Sequence, residues 1–129
     1  MSVYYLDYKT VEIINRAFCG LGAGVRDQGG VFAVLARPQS DYFGVELFPS
    51  VFDKAAALLH GFVTTQYFFD GNKRTGFLSA TVFLECNGFS WVGPDVDAAE
   101  GFLLRVAAGS VEVQEVASWL AAWCSPVEG

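Results

Sequence analysis

The amino-acid sequence predicts an all-α fold: a compact single domain built around a central buried helix. At 129 residues, with 53% hydrophobic and 16% aromatic content, the chain can bury one core and is too apolar to be disordered. Apolar residues recur at helical spacing in successive segments, whereas the alternation typical of strands occurs only in short pieces. We therefore interpret residues 1–129 as one helical domain.

The first third of the chain predicts two helices and a loop. Asp7 is the expected N-cap of the first helix. A second, short helix is expected over residues 30–35, and Pro38 ends it because proline disfavours helical geometry in the residue before it. Residues 39–48 are predicted to form a loop. Aromatic anchors are expected in that loop at Tyr42, Phe43 and Phe48.

The middle of the chain carries the clearest helix signals. Ser50 and Asp53 have the spacing of a helix N-cap and an acidic third position, and Lys54 is expected to be solvated. Residues 74–86 have almost no polar face, and a helix that is apolar all round is a buried one. That helix is predicted to be the centre of the domain, with Gly88 at its stop.

Two more helices complete the prediction, over residues 95–108 and 113–123, with a break at Gly109 and Ser110.

Charge and cysteine usage narrow the class of protein. The net charge of −6 argues against a general nucleic-acid binder, which needs a basic face. No apolar run reaches the length of a membrane span, and the first residues lack the pattern of a signal peptide. The odd number of cysteines follows no metal spacing, so buried free thiols in a reducing cytoplasm are expected. These cysteines are Cys19, Cys86 and Cys124.

A turn in mid-chain is the candidate functional site. Asp70-Gly71 is a turn signal, and Asn72, Lys73 and Arg74 open the next helix. Free backbone N–H groups, the positive end of a helix dipole and two cations would then meet at one spot, which suits a phosphate. The alternative is a solvated helix start with a basic flank.

Several runs around this turn resemble the Doc family of the Fic superfamily. Together they cover nearly the whole chain, and such a joint match is highly specific. The runs are FPSVFDKAAALLH (48–60), FFDGNKRT (68–75), FLECNG (83–88), RDQG (26–29) and ARPQ (36–39).

The resemblance implies a small helical Fic fold with its motif, His-x-Phe-x-(Asp/Asn)-x-Asn-Lys-Arg, in the loop before the central helix. It implies a toxin that transfers the γ-phosphate of ATP to a threonine of elongation factor Tu and is blocked by a Phd-type antitoxin. The turn residues would bind the phosphates of ATP, and Asp70 would hold Mg²⁺ or orient the loop. Those binding residues are Asp70, Gly71, Asn72, Lys73 and Arg74, of which Asp70, Lys73 and Arg74 are also expected to be catalytic.

One difference inside the superfamily favours the kinase branch. AMP-transferring Fic enzymes carry Gly-Asn-Gly-Arg-x-x-Arg, whereas this chain has Lys73 in place of the second glycine and Phe77 in place of the second arginine. An AMP-transfer site would lack a phosphate clamp here. Transfer of AMP is therefore the weaker alternative.

The motif departs from the family at its first residue, which is Gln66 instead of histidine. Glutamine has no useful pKa near neutrality, and losing a general base costs roughly 10² to 10⁴ in rate. The departure is consistent with an inactive homologue, a different chemistry, or a histidine replaced so that a toxic protein can be expressed. A non-catalytic protein that binds a nucleotide or an antitoxin is thus a second hypothesis, and His60 is expected to be structural rather than a substitute base.

Overall fold

The computed structural model describes residues 2–127, and within this range the chain folds into six α-helices. They are α1 (Tyr8–Phe18), α2 (Gln28–Ala36), α3 (Val51–Val63), α4 (Asn72–Cys86), α5 (Glu100–Ala107) and α6 (Val113–Ala122). Short strands form two antiparallel pairs: β1 (Asp41–Tyr42) with β2 (Val45–Glu46), and β3 (Phe89–Trp91) with β4 (Cys124–Pro126). The all-α prediction is confirmed. No helix in the described part is long and apolar enough to cross a membrane.

Local sequence explains where the helices begin and end. The Asp7 side chain accepts a hydrogen bond from Thr10 N at 2.8 Å and caps α1, as predicted. Ser50 and Asp53 form a complete capping box at the start of α3. Helix α4 ends before Gly88, which has φ 95°.

Helices α3 and α4 form the centre of the domain. Helix α4 lies in the core as predicted, and its neighbour α3 is more completely buried, since residues 54–59 and 61–63 are all inaccessible or nearly so. The two helices approach closely at Gly76, where an added Cβ would lie 2.8 Å from Val63 Cγ2. Helix α3 also packs against α2, α5 and α6, so the end of α3 and the start of α4 are held rigidly.

Residues 39–48 differ from the predicted anchored loop. The segment forms the β1–β2 hairpin, and both Tyr42 and Phe43 are exposed, Phe43 by 90%. Phe48, the third expected anchor, is half-buried, with the Arg37 guanidinium 5.6 Å from its ring centroid. A further anchor is Lys54, which was expected to be solvated and is 1% exposed. Its ammonium donates to the carbonyls of Pro38 and Phe48 and pairs with the Glu46 carboxylate. The polar end of a lysine at the start of α3 thus holds the base of the hairpin.

Two further expectations need correction. The cysteines are free thiols, but Cys86 is exposed and the other two are half-buried. Helix α5 begins at Glu100 rather than near residue 95. Residues 96–99 form a turn, in which Asp95 accepts a hydrogen bond from Ala98 N at 2.8 Å.

Candidate functional site

The centre of the site is the turn at Gly71, which precedes α4. Gly71 has φ 75° and ψ 28°, the left-handed conformation that glycine adopts without a Cβ penalty. A Cβ at this position would also collide with the side chain of Cys19, at the end of α1. Both the backbone conformation and the space therefore require glycine here.

Side chains on either side of Gly71 hold the turn in place. The Asp70 carboxylate accepts the Gly71 N–H at 2.8 Å. The Asn72 amide accepts from Phe68 N at 3.0 Å and donates to Phe68 O at 3.1 Å, so its oxygen and its nitrogen are both engaged within the loop. Phe68 itself is 1% exposed and packs on the ring of Phe62. Asn72 therefore shapes the loop with its side chain, and its backbone N–H is available to a ligand.

The first turn of α4 provides hydrogen-bond donors and positive charge. The backbone N–H groups of Asn72, Lys73 and Arg74 belong to the first helical turn and have no intrahelical acceptor. The hydrogen bonds of residues 2–127 give them no other acceptor. Lys73 is half-buried and has no ion-pair partner within the same residues. Donors, dipole and a cation thus coincide, as the sequence suggested.

Arg74 is the exception among the cations, because it already has a partner. Its Nη2 lies 3.1 Å from Oδ1 of Asp97, in the segment before α5, and both side chains are substantially exposed. The ion pair joins the first turn of α4 to the segment that precedes α5. Arg74 therefore faces a competing carboxylate that the sequence did not reveal.

A cavity of about 380 Å³ opens beside the turn. All six residues predicted for the site line it, and Val96 and Glu100 contribute the wall opposite α4. The six are Gln66, Asp70, Gly71, Asn72, Lys73 and Arg74. A volume of this size lies within the usual range of small-molecule sites.

Gln66 lies at the rim of this cavity with an exposed side chain. Its backbone carbonyl accepts a hydrogen bond from Arg26 Nε at 2.8 Å. The residues that follow Gln66 pair with a strip formed by residues 24–26. Phe69 N donates to Gly24 O, and Val25 forms a β-bridge with Phe68. The rim is therefore a short two-stranded arrangement that fixes the backbone and leaves the Gln66 amide free to face the cavity.

Sequence reasoning missed Asn15, which lies in α1 and is 0% exposed. Its side chain contacts the loop at Asp70, the first turn of α4 at Thr75, and the strip at Gly24. The available signal was a polar residue beside Ile14 in the apolar stripe of α1. Sequence alone cannot say whether such a residue faces the core or its edge.

Two residues discussed at the sequence level lie elsewhere. His60 is not part of the cavity lining, its Nδ1 is buried without a hydrogen-bond partner among the described residues, and burial, helped by Arg37, lowers its pKa. Phe77 is 3% exposed and packs edge-on against Trp91. Neither residue can reach a ligand in the cavity.

Two carboxylates of the described residues line the cavity and are the candidates to hold a metal ion. Within residues 2–127 no three His, Cys, Asp or Glu side chains converge as a metal-binding group. The cavity lining holds the Asp70 carboxylate on one wall and Glu100 on the other. Mg²⁺ commonly binds through one or two carboxylates plus substrate phosphates, so this set fits an ion that arrives with a nucleotide.

Comparison with known proteins shows the family of this chain. The family model described as the Fic/DOC family matches residues 5–84, from the N-terminal segment through most of α4. The chain is also 36% identical over 125 residues to a protein named Toxin Doc from Mycolicibacterium smegmatis (strain ATCC 700084 / mc(2)155), covering 96% of both chains. Since the match spans the turn, the cavity wall and the α3–α4 core together, the chain belongs to the Fic/DOC family.

Proposed function

We propose that this chain is a Doc-type toxin whose cavity binds ATP and whose fold serves transfer of the γ-phosphate to a threonine of elongation factor Tu. We further propose that Gln66 impairs the transfer step. The observation that carries the proposal is the meeting of Lys73, Arg74, the Asp70 carboxylate and helix N–H groups that have no acceptor among residues 2–127 in one cavity. The relative named Toxin Doc supports the toxin role.

Phosphoryl transfer requires mainly that the protein position the reacting groups and neutralise their charge. Phosphoryl transfer proceeds with charge spread over the transferred group, and cations with backbone donors stabilise it. In this chain the N–H groups at the start of α4 and the Lys73 ammonium would hold the terminal phosphates. Asp70 would hold Mg²⁺, which neutralises phosphate charge when bound. These residues bind and orient the nucleotide but do not take a proton.

The missing component is a base for the acceptor hydroxyl. The Gln66 amide can orient a hydroxyl through a hydrogen bond, but it cannot accept its proton. His60 does not substitute, since it lies outside the cavity. The cavity therefore supports binding more fully than it supports reaction.

Gln66 also favours a second candidate function, a non-catalytic Fic-fold protein that binds a nucleotide or a Phd-type antitoxin. In this alternative the turn at Gly71 is a binding site only. Transfer of AMP is not supported, because position 77 is occupied by a buried aromatic ring and supplies no cation to the cavity.

The variant Gln66→His separates the two candidates. With ATP, Mg²⁺ and elongation factor Tu, we expect it to gain phosphotransfer by roughly 10² to 10⁴ over the parent chain, since that is the usual worth of a general base. Phosphorylation of a threonine, detected by mass spectrometry, is the measurement. Equal activity of variant and parent would leave the binding protein as the better account, and labelled AMP on the target would favour AMP transfer. We also expect a Phd-type antitoxin to suppress the toxicity of Gln66→His in cells.

Nucleotide binding is tested separately from catalysis. The variant Lys73→Ala should weaken ATP binding at least tenfold, since a hydrogen bond to a charged group contributes about 1.5–3 kcal/mol and tenfold corresponds to about 1.4 kcal/mol. Lys9→Ala is the matched control, because Lys9 is an exposed lysine of α1 whose only ion pair within residues 2–127 is with Glu12. Equal affinities of the two variants in a calorimetric titration would argue against the cavity as the ATP site.

A further inference from the structure

The buried amide of Asn15 connects α1 to the turn at Gly71. Asn15 is 0% exposed. Its side chain contacts Asp70 and Thr75, which lie 55 and 60 residues away in the sequence. We propose that Asn15 is a positioning residue, which holds the turn in the shape that presents its N–H groups to an anion. The proposal rests on the proposed nucleotide site and assigns a residue that acts through the backbone of that site.

Every hydrogen-bonding group of the Asn15 side chain is used. Nδ2 donates to the Asp70 carbonyl at 3.0 Å and to Thr75 Oγ1 at 3.0 Å, and Oδ1 accepts from Gly24 N at 2.7 Å. The orientation of the amide is unambiguous, because a backbone N–H can only donate and a carbonyl can only accept. The side chain therefore makes three directional contacts with a single geometry.

These contacts hold both ends of the turn. The Asp70 carbonyl belongs to the peptide unit that precedes Gly71, so its direction fixes where the Gly71 N–H and the following backbone point. Thr75 N donates to Gly71 O at 2.8 Å, the first α-helical hydrogen bond of α4. With residues 70 and 75 both attached to Asn15, the backbone that carries the N–H groups of Asn72, Lys73 and Arg74 is fixed beside the cavity that these residues line.

The third contact extends the effect to the rim. Gly24 belongs to the strip that pairs with Phe69, and Arg26 in the same strip holds the Gln66 carbonyl. One buried amide thus supports the phosphate-binding turn and, through the strip, the residue at the base position.

The variant Asn15→Asp tests this proposal, since it keeps the size and the Oδ1 acceptor but loses the two N–H donors. At about pH 7.5 we expect ATP to bind about tenfold more weakly than to the parent, because the Asp70 carbonyl loses its donor. Burial raises the pKa of a carboxyl group, so at about pH 5 a neutral Asp would donate again and part of the loss should be recovered. The nearby residues Asp70, Cys19 and Arg16 are present in both the variant and the parent. The ratio of their two ATP affinities at each pH therefore reports the effect of position 15.

Asn87→Asp is the matched control. Asn87 makes the same three-bond pattern, accepting from Tyr4 N and donating to the carbonyls of Tyr4 and Phe83, but it is not part of the cavity lining. It should lose stability without losing ATP affinity in the folded protein. If Asn15→Asp also leaves affinity unchanged at both pH values, the proposal is overturned.

A readout without nucleotide separates failure of this proposal from failure of the proposed function. Amide hydrogen exchange over residues 70–75 should be faster in Asn15→Asp than in Asn87→Asp. If the parent binds no ATP, the nucleotide site is wrong, and the exchange result alone decides whether Asn15 holds the turn. Should Asn15→Asp fail to fold, Thr75→Val removes one Asn15 contact at constant shape, and unchanged exchange and affinity in that variant would overturn the proposal.

Discussion

The two sides of the first turns of α4 are held by different physical interactions. On the side facing α1, Thr75 is 0% exposed and bonds to the Asn15 amide, while the turn before it has space only for glycine. On the side facing β3 and α6, Phe77 packs edge-on against Trp91 and is tilted against Trp119. Directional bonds locate the loop, whereas apolar packing stabilises the domain. Substitutions on the two sides should therefore change different measurements.

The largest expected effect is on the aromatic side. Phe77→Ala should lower the free energy of unfolding by about 3–5 kcal/mol, since it removes a buried ring and leaves a cavity. The ATP affinity of the folded protein should not change. Urea denaturation and ATP titration measure the two quantities, and Phe43→Ala, at a ring that is 90% exposed, should shift stability by less than about 0.5 kcal/mol. A parallel loss of ATP affinity in Phe77→Ala would mean that the two sides are coupled.

The next effect is on the polar side, where both measurements should change. In Gly71→Ala the left-handed backbone (φ 75°) alone costs about 1–2 kcal/mol, and the new Cβ also meets Cys19. We expect ATP affinity to fall at least tenfold because the turn must shift.

Gly109→Ala is the control for the backbone cost of Gly71→Ala. Gly109 has φ 81°, and an added Cβ there meets nothing within 4 Å. This control should lose stability by the backbone cost and keep its ATP affinity. Equal affinity losses in the two variants would contradict a local effect at the turn.

A smaller effect should come from the ion pair between Arg74 and Asp97. Asp97→Asn removes the carboxylate that competes for Arg74, so ATP should bind about two- to fivefold more tightly at low salt, and added salt should remove the gain. Stability should change by less than about 1 kcal/mol, as is usual for exposed pairs. Glu85→Gln removes an exposed carboxylate of α4 outside the cavity lining and should leave affinity unchanged. Weaker binding in Asp97→Asn would instead assign Asp97 the task of orienting Arg74.

The smallest effect concerns His60, on α3. Burial, with a contribution from Arg37, lowers its pKa below 6.5, while Glu112 acts in the opposite direction. The unfolded chain therefore binds the proton more readily, and stability should fall as the pH drops below about 6.5. His60→Gln should flatten this dependence in urea denaturation between about pH 7.5 and pH 5.5, without an effect on ATP affinity at the higher pH. An equally steep decline in the variant would assign the pH dependence to carboxyl groups.

The sequence predicted best where local chemistry decides the structure. The cap at Asp7, the capping box at Ser50 and the left-handed turn at Gly71 depend on residues within a few positions of one another. The resemblance to the Doc family then suggested which turn residues would share a site, and all of them line one cavity.

Prediction failed where a contact joins distant segments. The burial of Lys54 depends on carbonyls of Pro38 and Phe48 that converge only after the hairpin has formed. The pairing of Arg74 with Asp97 and the role of Asn15 likewise depend on partners 23 to 60 residues away. Polar residues inside an apolar stripe therefore merit attention before the fold is known, even when their partners cannot be named.

The wide spacing of these contacts has a consequence for the order of synthesis. Asn15 leaves the ribosome early, but Thr75 follows 60 residues later, and the pairing of Tyr4 with Asn87 spans 83 residues. A nascent chain that has not yet reached α4 contains α1 without either of its partners in the turn. The proposed nucleotide site is thus absent until more than half of the 129 residues have been translated.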